Sequence, residues 1–246
     1  MARRVILFQV RDDAEAEEQE RLCFLESCGL APHELETVNL VVEPHWDWRS
    51  VADADAFLIG GAGSHSATKE YSFSRSLHEL VRRIVDAGKP LFASCFGHHI
   101  LVRALGGTLT TDHSRGEVGT FDVELTLEGR SDPLLTSFPR RFAVQLGHHD
   151  VAVQVPPTCV ELAYSDRCRY QMLRVVGKPI YSTQFHPEMS DRHLQARLEM
   201  YRDSYIATQT SAGELSLPLR PSEWADKMLR CFFDLFVGSR SSRRAV

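Results

Sequence analysis

Hydrophobic positions in the first half of the chain change period in alternating blocks. Residues 5–10 form an almost unbroken apolar run, as expected of a strand buried on both faces. Ala14–Cys28 then shows helical spacing, with Leu22, Leu25 and Cys28 on one stripe and acidic residues on the other face. Residues 36–42 read as a second strand, stopped by Pro44. Ala56–Ile59 reads as a third, running into Gly60-Gly61-Ala62-Gly63. The spacing predicts a helix over 72–87, with Leu77, Leu80, Val81 and Ile84 inward and Gly88 as its stop. Residues 90–93 read as a fourth strand, and 96–105 as a helix ended by Gly106-Gly107.

Strands alternating with helices of this length imply a parallel sheet covered on both faces. Such sheets hold ligands at the carboxyl ends of their strands. The glycine-rich turn at 60–63 and Cys95 both fall at such ends. The second half changes style. Residues 117–127, 141–146, 151–155, 160–164, 170–176 and 179–185 read as short strands, a mixed extension of the same sheet with a small hairpin layer beside it. Helical spacing returns over 190–206 and over 222–236, the latter opened by Pro221-Ser222-Glu223. The polar stretch 207–220 reads as a surface loop. Trp46 and Trp48 read as a cover for the sheet edge.

The 246 residues are 43% hydrophobic, enough for a sizeable core, and the net charge of -5 gives no field that favours nucleic acid. Arg240, Arg243 and Arg244 form a small basic cluster that reads as part of a frayed tail. No run approaches the roughly 20 apolar residues that span a bilayer. Residues 5–10 are too short for a signal peptide, so a cytoplasmic location and no membrane partner are expected. Six cysteines are scattered without CxxC pairs or zinc spacing, which predicts free thiols and no metal.

Cys95 stands in a different kind of sequence. In Leu91-Phe92-Ala93-Ser94-Cys95-Phe96-Gly97-His98 an apolar strand runs into small-x-Cys-x-Gly and then a helix, the pattern of a nucleophile elbow. The turn needs small residues two before and two after the nucleophile, here Ala93 and Gly97. A thiol at a helix N-terminus meets the positive end of the helix dipole, and the free N–H of Phe96 can point at an oxyanion. A thiolate nucleophile needs an acid/base partner, and eleven histidines are candidates. His186 is the best, at the end of an apolar strand in Gln184-Phe185-His186-Pro187-Glu188. In extended backbone Glu188 falls on the same side as His186 and can orient the imidazole. The bare backbone at Gly60 and Gly61 allows close approach of a substrate.

These segments occur in an order that resembles the class I, triad-type glutamine amidotransferases. Cys95-Phe96-Gly97-His98 with Ala104-Leu105-Gly106-Gly107 is similar to the family's Cys-Phe-Gly-His-Gln block and its Ala-Leu-Gly-Gly. Residues Gln184 to Glu188 match its Gln-Phe-His-Pro-Glu. His148-His149-Asp150 and Leu162-Ala163-Tyr164-Ser165-Asp166 resemble its His-x-Asp and Leu-Ala-x-Ser segments.

The resemblance implies a flavodoxin-like α/β fold: a three-layer sandwich with a mainly parallel central sheet plus a small antiparallel sheet. One amidotransferase-like domain is expected over 1–237, followed by a flexible tail over 238–246. Cys95 would attack a γ-glutamyl carbonyl, His186 would act as acid and base, and Glu188 would orient His186. The N–H groups of Gly61 and Phe96 would stabilise the oxyanion. Gly60, His99, His148 and Asp150 would contact a small-molecule substrate, glutamine or a γ-glutamyl compound, with no cofactor. The family Gln is replaced by His99, which changes the shape of the pocket and adds a titratable group. Three functions stay open: a γ-glutamyl hydrolase or peptidase acting alone, a glutaminase subunit serving a separate synthetase partner, and a retired member acting as a binding module.

Overall fold

The computed structural model describes residues 2–201 and 219–238. The parallel half of the sheet holds strands β1 (Val5–Gln9), β2 (Leu35–Asn39), β3 (Ala56–Ile59) and β4 (Leu91–Ser94). Helices α1 (Ala14–Cys28) and α3 (Ser74–Ala87) connect them, with a short helix α2 (Trp48–Val51) before β3. Helix α4 (Phe96–Ala104) follows β4 after a single residue. The rest of the chain adds β5 (Thr108–Thr111), β6 (Glu117–Leu125), a short α5 (Leu127–Ser131), β7 (Arg141–His148), β8 (Asp150–Gln154), β9 (Cys159–Tyr164), β10 (Met172–Val175) and β11 (Ile180–Thr183). Helix α6 (Asp191–Met200) and α7 (Met228–Phe232) close the described chain.

Nine strands form one sheet in the order β2-β1-β3-β4-β11-β10-β9-β6-β7, and β5 pairs with β8 as a separate two-stranded antiparallel sheet. Strands β2, β1, β3, β4 and β11 are mutually parallel, and the four strands beyond β11 alternate in direction. The chain leaves β1 toward β2 and returns to β3 on the other side. That reversal opens a crevice at the carboxyl ends of β1 and β3.

Side chains of the parallel strands alternate between two cores. Val5, Leu7, Leu58, Phe92 and Tyr181 pack with α1 and α7 on one face. Ile6, Phe8, Phe57, Ile59, Leu91 and Ala93 pack with α3 and α4 on the other. Trp46 and Trp48 stack beside Phe8 and Phe57 at the edge of that second core, away from the pocket described below.

Three expectations need correction. In α1, Leu22 points to solvent at 51% exposure, while the acidic Glu20 is buried. Leu25 and Cys28 are buried as expected, with Ala16, Glu20, Cys23 and Phe24 beside them, because Glu20 has an ion-pair partner waiting inside. Strand β5 was not expected at all, because Thr108 and Thr111 are exposed and leave only Leu109 as an apolar signal. The helix expected over 222–236 is split into a 3-10 turn (Ala225–Lys227), α7 and a π-helical turn (Phe233–Val237). The expected tail from 239 onward, with its arginine cluster, lies outside the described residues. So do the end of the 190–206 helix beyond Tyr201 and residues 207–218 of the expected loop. Among the described residues no helix is long and apolar enough to cross a membrane.

Candidate active site

Cys95 joins β4 to α4 with φ 52° and ψ -103°, the only non-glycine residue with positive φ among those described. An L-residue in such a conformation is strained, and it persists only where its surroundings hold it. Here the Cys95 N–H donates to Thr183 O at 2.7 Å, and the His99 N–H donates to Cys95 O at 3.2 Å. Gly97 is required by space. A Cβ there would stand 2.6 Å from the backbone oxygen of Ile59.

Strand β11 is the parallel neighbour of β4, with Thr183 opposite Ser94. The segment leaving β11 therefore enters the same edge as the elbow and carries His186 to it. The His186 N–H donates to Gln145 O at 2.9 Å, and its Nδ1–H donates to Glu188 Oε1 at 2.6 Å. The ring also hydrogen-bonds the Cys95 side chain. Burial disfavours the imidazolium. The charges of Glu188 and Cys95 and the hydrogen bonds to both outweigh it and raise His186 to about 10. Burial pushes the five other thiols up: Cys23 and Cys168 to about 12, Cys159 to about 11, and Cys28 and Cys231 are also raised.

The Gly61 amide, expected as an oxyanion donor, is not free for that role. The Gly61 N–H is committed to the buried carboxylate of Glu20, at 3.1 Å from Oε1. Its neighbour Ala62 lines the pocket, and among the described residues neither the Ala62 N–H nor the Phe96 N–H has a hydrogen-bond acceptor. Gly61 serves by being small. A Cβ on it would stand 3.0 Å from His186 Cε1, 3.2 Å from Arg11 Nη2 and 3.9 Å from Cys95 Cβ. Gly60 does not line the pocket. Its carbonyl accepts the Gly97 N–H, and its open side is filled by Glu20.

Cys95 and His186 open into a pocket of about 250 Å³ whose wall includes His99, His148 and Asp150. The Asp150 carboxylate is spent on structure: it accepts from Ser66 Oγ at 2.8 Å, from Ala67 N at 2.8 Å and from Thr111 Oγ1 at 2.6 Å. It thereby ties the loop after β3 to β5. The His148 ring is held between the Asp150 carbonyl at 3.0 Å and Glu117 Oε2 at 3.1 Å. His99 Nε2–H donates to Gln184 Oε1 at 2.7 Å. Burial lowers His99 to about 4, against the pull of Asp150, so it is a neutral donor at neutral pH. His98 is buried away from the pocket on Ser182. Among the described residues no three His, Cys, Asp or Glu side chains are placed to hold a metal ion.

Residues 32–206 match the model of the family described as glutamine amidotransferase class-I, which is well over half the chain. The chain belongs to the class I glutamine amidotransferases. It is 29% identical over 151 residues to a glutamine-hydrolyzing GMP synthase subunit of Archaeoglobus fulgidus, covering 61% of this chain and 74% of that one. It is 34% identical over 134 residues to the carbamoyl phosphate synthase small chain of Brucella ovis, but that match spans 54% of this chain and only 30% of the relative. A glutamine amidotransferase of Thermotoga maritima has the same fold, with a TM-score of 0.77 at 18% identity over 97% of this chain and all of the other. A glutamine amido transferase of Methylobacillus flagellatus superposes with a TM-score of 0.74 at 16% identity over 95% of both chains.

The pocket of this amidotransferase also contains residues that sequence reasoning missed. Arg11, Arg197 and Tyr201 line the wall beside His186. Glu20 stands behind Arg11 and Glu117 behind His148, at 1% exposure each. Arg11 had a usable signal, since it is the first charged residue after the apolar run of β1 and a strand's carboxyl end is where a site forms. Glu20, Arg197 and Glu117 had none, because a buried ionic residue looks like a solvated one in a linear pattern.

Proposed function

We propose that this chain hydrolyses a γ-glutamyl amide through a glutamyl-thioester on Cys95, with residues 1–237 as one catalytic domain. One observation carries the reading. His186 sits between the Cys95 side chain and the Glu188 carboxylate on a strained elbow that opens into a pocket. That arrangement puts an acid/base group and the carboxylate that orients it beside a nucleophile.

The Cys95 sulfur attacks the γ-carbonyl carbon and forms the C–S bond. The oxyanion accepts from the N–H groups of Ala62 and Phe96, which replaces the expected Gly61 donor. The His186 imidazolium passes its proton to the leaving nitrogen as the C–N bond breaks, and ammonia or an amine departs. His186 then takes a proton from water, and the hydroxide attacks the thioester. Glutamate leaves, and the free sulfur and the imidazolium are restored. Glu188 keeps the ring oriented through its bond to Nδ1, as a buried carboxylate does in hydrolytic triads. His99, His148 and the backbone beside Asp150 would bound the substrate on the far wall.

The test is glutamate release from glutamine and from a panel of γ-glutamyl peptides, comparing the wild type with Cys95→Ala. Cys95-dependent release supports the reading, and release unchanged in Cys95→Ala contradicts it. His99→Gln should change KM for the donor more than kcat, because His99 forms wall and not machinery. A change confined to kcat contradicts that role.

A second reading is favoured by the names of the relatives, which denote one subunit or chain of a synthase. In it the chain hydrolyses glutamine for a separate synthetase. Ammonia-dependent synthesis by a co-purifying protein, stimulated by this chain and glutamine, would support it.

A further inference from the structure

The wall beside His186 holds more positive charge than the described residues neutralise. Arg11 and Arg197 are 2% and 4% exposed, and both line the pocket. Arg11 forms a two-pronged pair with Glu20, from Nε to Oε2 at 3.1 Å and from Nη2 to Oε1 at 2.5 Å. Glu20 is thereby occupied, and it also accepts the Gly61 N–H and Gln9 Nε2. Arg197 donates its Nε to the neutral amide oxygen of Gln19, and among the described residues no carboxylate lies within ion-pair distance of it. Burial and the nearby Arg11 lower the Arg197 guanidinium below its ordinary value. The carboxylate that acts on it is Glu20, which is already paired in two prongs with Arg11, so two buried guanidiniums share one anion at a cost that an incoming carboxylate would relieve. Guanidiniums are also the side chains that match a carboxylate with two parallel hydrogen bonds.

The position of this charge tells which end of a substrate would carry the carboxylate. Arg11 Nη2 and His186 Cε1 meet around Gly61, at 3.2 Å and 3.0 Å from the position of a Cβ there. In the reading above, His186 gives its proton to the leaving nitrogen. The leaving group therefore lies on the side of His186, and that is the side of Arg11. We propose that Arg11 and Arg197 bind a carboxylate on the leaving group, so that the enzyme selects γ-glutamyl amino acids and short γ-glutamyl peptides over glutamine. This rests on Cys95 being the nucleophile for γ-glutamyl amides. The opposite wall, with His99 and His148, is left for the glutamyl part.

The experiment uses the full chain carrying Cys95→Ala, so that ligands bind without turnover. Calorimetry compares γ-glutamylglycine with γ-glutamylglycinamide, which differs only in lacking the leaving-group carboxylate. The carboxylate should tighten binding by about tenfold or more, the scale of a charge-assisted hydrogen bond. Arg197→Gln in the same background should bring the two ligands to equal affinity, and Arg197→Lys should keep part of the difference. Equal affinity before any arginine is changed, or no binding of either ligand, overturns the proposal. So does a loss in Arg197→Gln that falls equally on both ligands, since that would assign the arginines to the glutamyl group's own carboxylate. Hydrolysis by the wild type, measured separately, decides the nucleophile reading whichever way the binding comparison falls.

Discussion

His186 keeps a proton that its burial alone would remove. Its value of about 10 lies above the 6.5 of a free imidazole because Glu188 and Cys95 both favour the charged ring. A group raised on folding stabilises the native state fully below pH 6.5 and loses that contribution as pH climbs to about 10. Glu188→Gln removes most of the cause. The gap in denaturant stability between the wild type and Glu188→Gln should therefore narrow from pH 6.5 to 10, and a constant gap contradicts the ion pair. The same variant should slow alkylation of Cys95 at pH 7 by about tenfold, since the His186 ring beside the sulfur loses the carboxylate that orients it. His99 shows the opposite sign. With a value of about 4, it is neutral and buried when folded but takes up a proton when unfolded. Its contribution is complete above pH 6.5 and is lost as pH falls toward 4. His99→Gln should flatten that acid limb in unfolding experiments from pH 6.5 to 4. The meeting of Cys95, His186 and Glu188 could be expected from the sequence because each sits in a short pattern with a local meaning. The commitment of the Gly61 amide to Glu20 could not, because it joins a loop to a helix 41 positions away.

At the scale of elements, the elbow and α1 carry the site. Strands β1, β3 and β4 were readable as nearly unbroken apolar runs because both of their faces are buried. The elbow was readable because its turn admits only small residues at fixed offsets. Gly97→Ala would press a methyl against the Ile59 carbonyl at 2.6 Å. The predicted cost is about 1–3 kcal/mol in denaturant unfolding, with loss of glutamate release, because strand and helix must separate to admit it. Unaltered stability in that variant would mean that the elbow is looser than its geometry implies. Helix α1 was readable as a helix but not in its orientation. Leu22 fits an apolar stripe on paper, yet the Arg11–Glu20 pair rotates the acidic residue inward. A pair buried to this degree destabilises by about 3–5 kcal/mol when one partner is removed, and Glu20→Gln should show a loss of that order.

At the scale of the whole molecule, topology places the chemistry. Arg11 follows β1, Gly61 follows β3, Cys95 follows β4 and His186 follows β11, so four strand ends converge at one edge of the sheet. Alternating strands and helices made the parallel half of this arrangement legible. They placed His186 at a strand end near the elbow but could not reveal that β11, read late in the chain, pairs directly with β4. That pairing depends on contacts far apart in sequence and leaves no local trace. The central claim is the covalent one, and intact-mass spectrometry of protein quenched with acid during turnover tests it most directly. With a γ-glutamyl substrate, the account predicts a glutamyl adduct mapped to Cys95, absent from Cys95→Ala. An adduct on another residue, or substrate turnover that persists in Cys95→Ala, would contradict it.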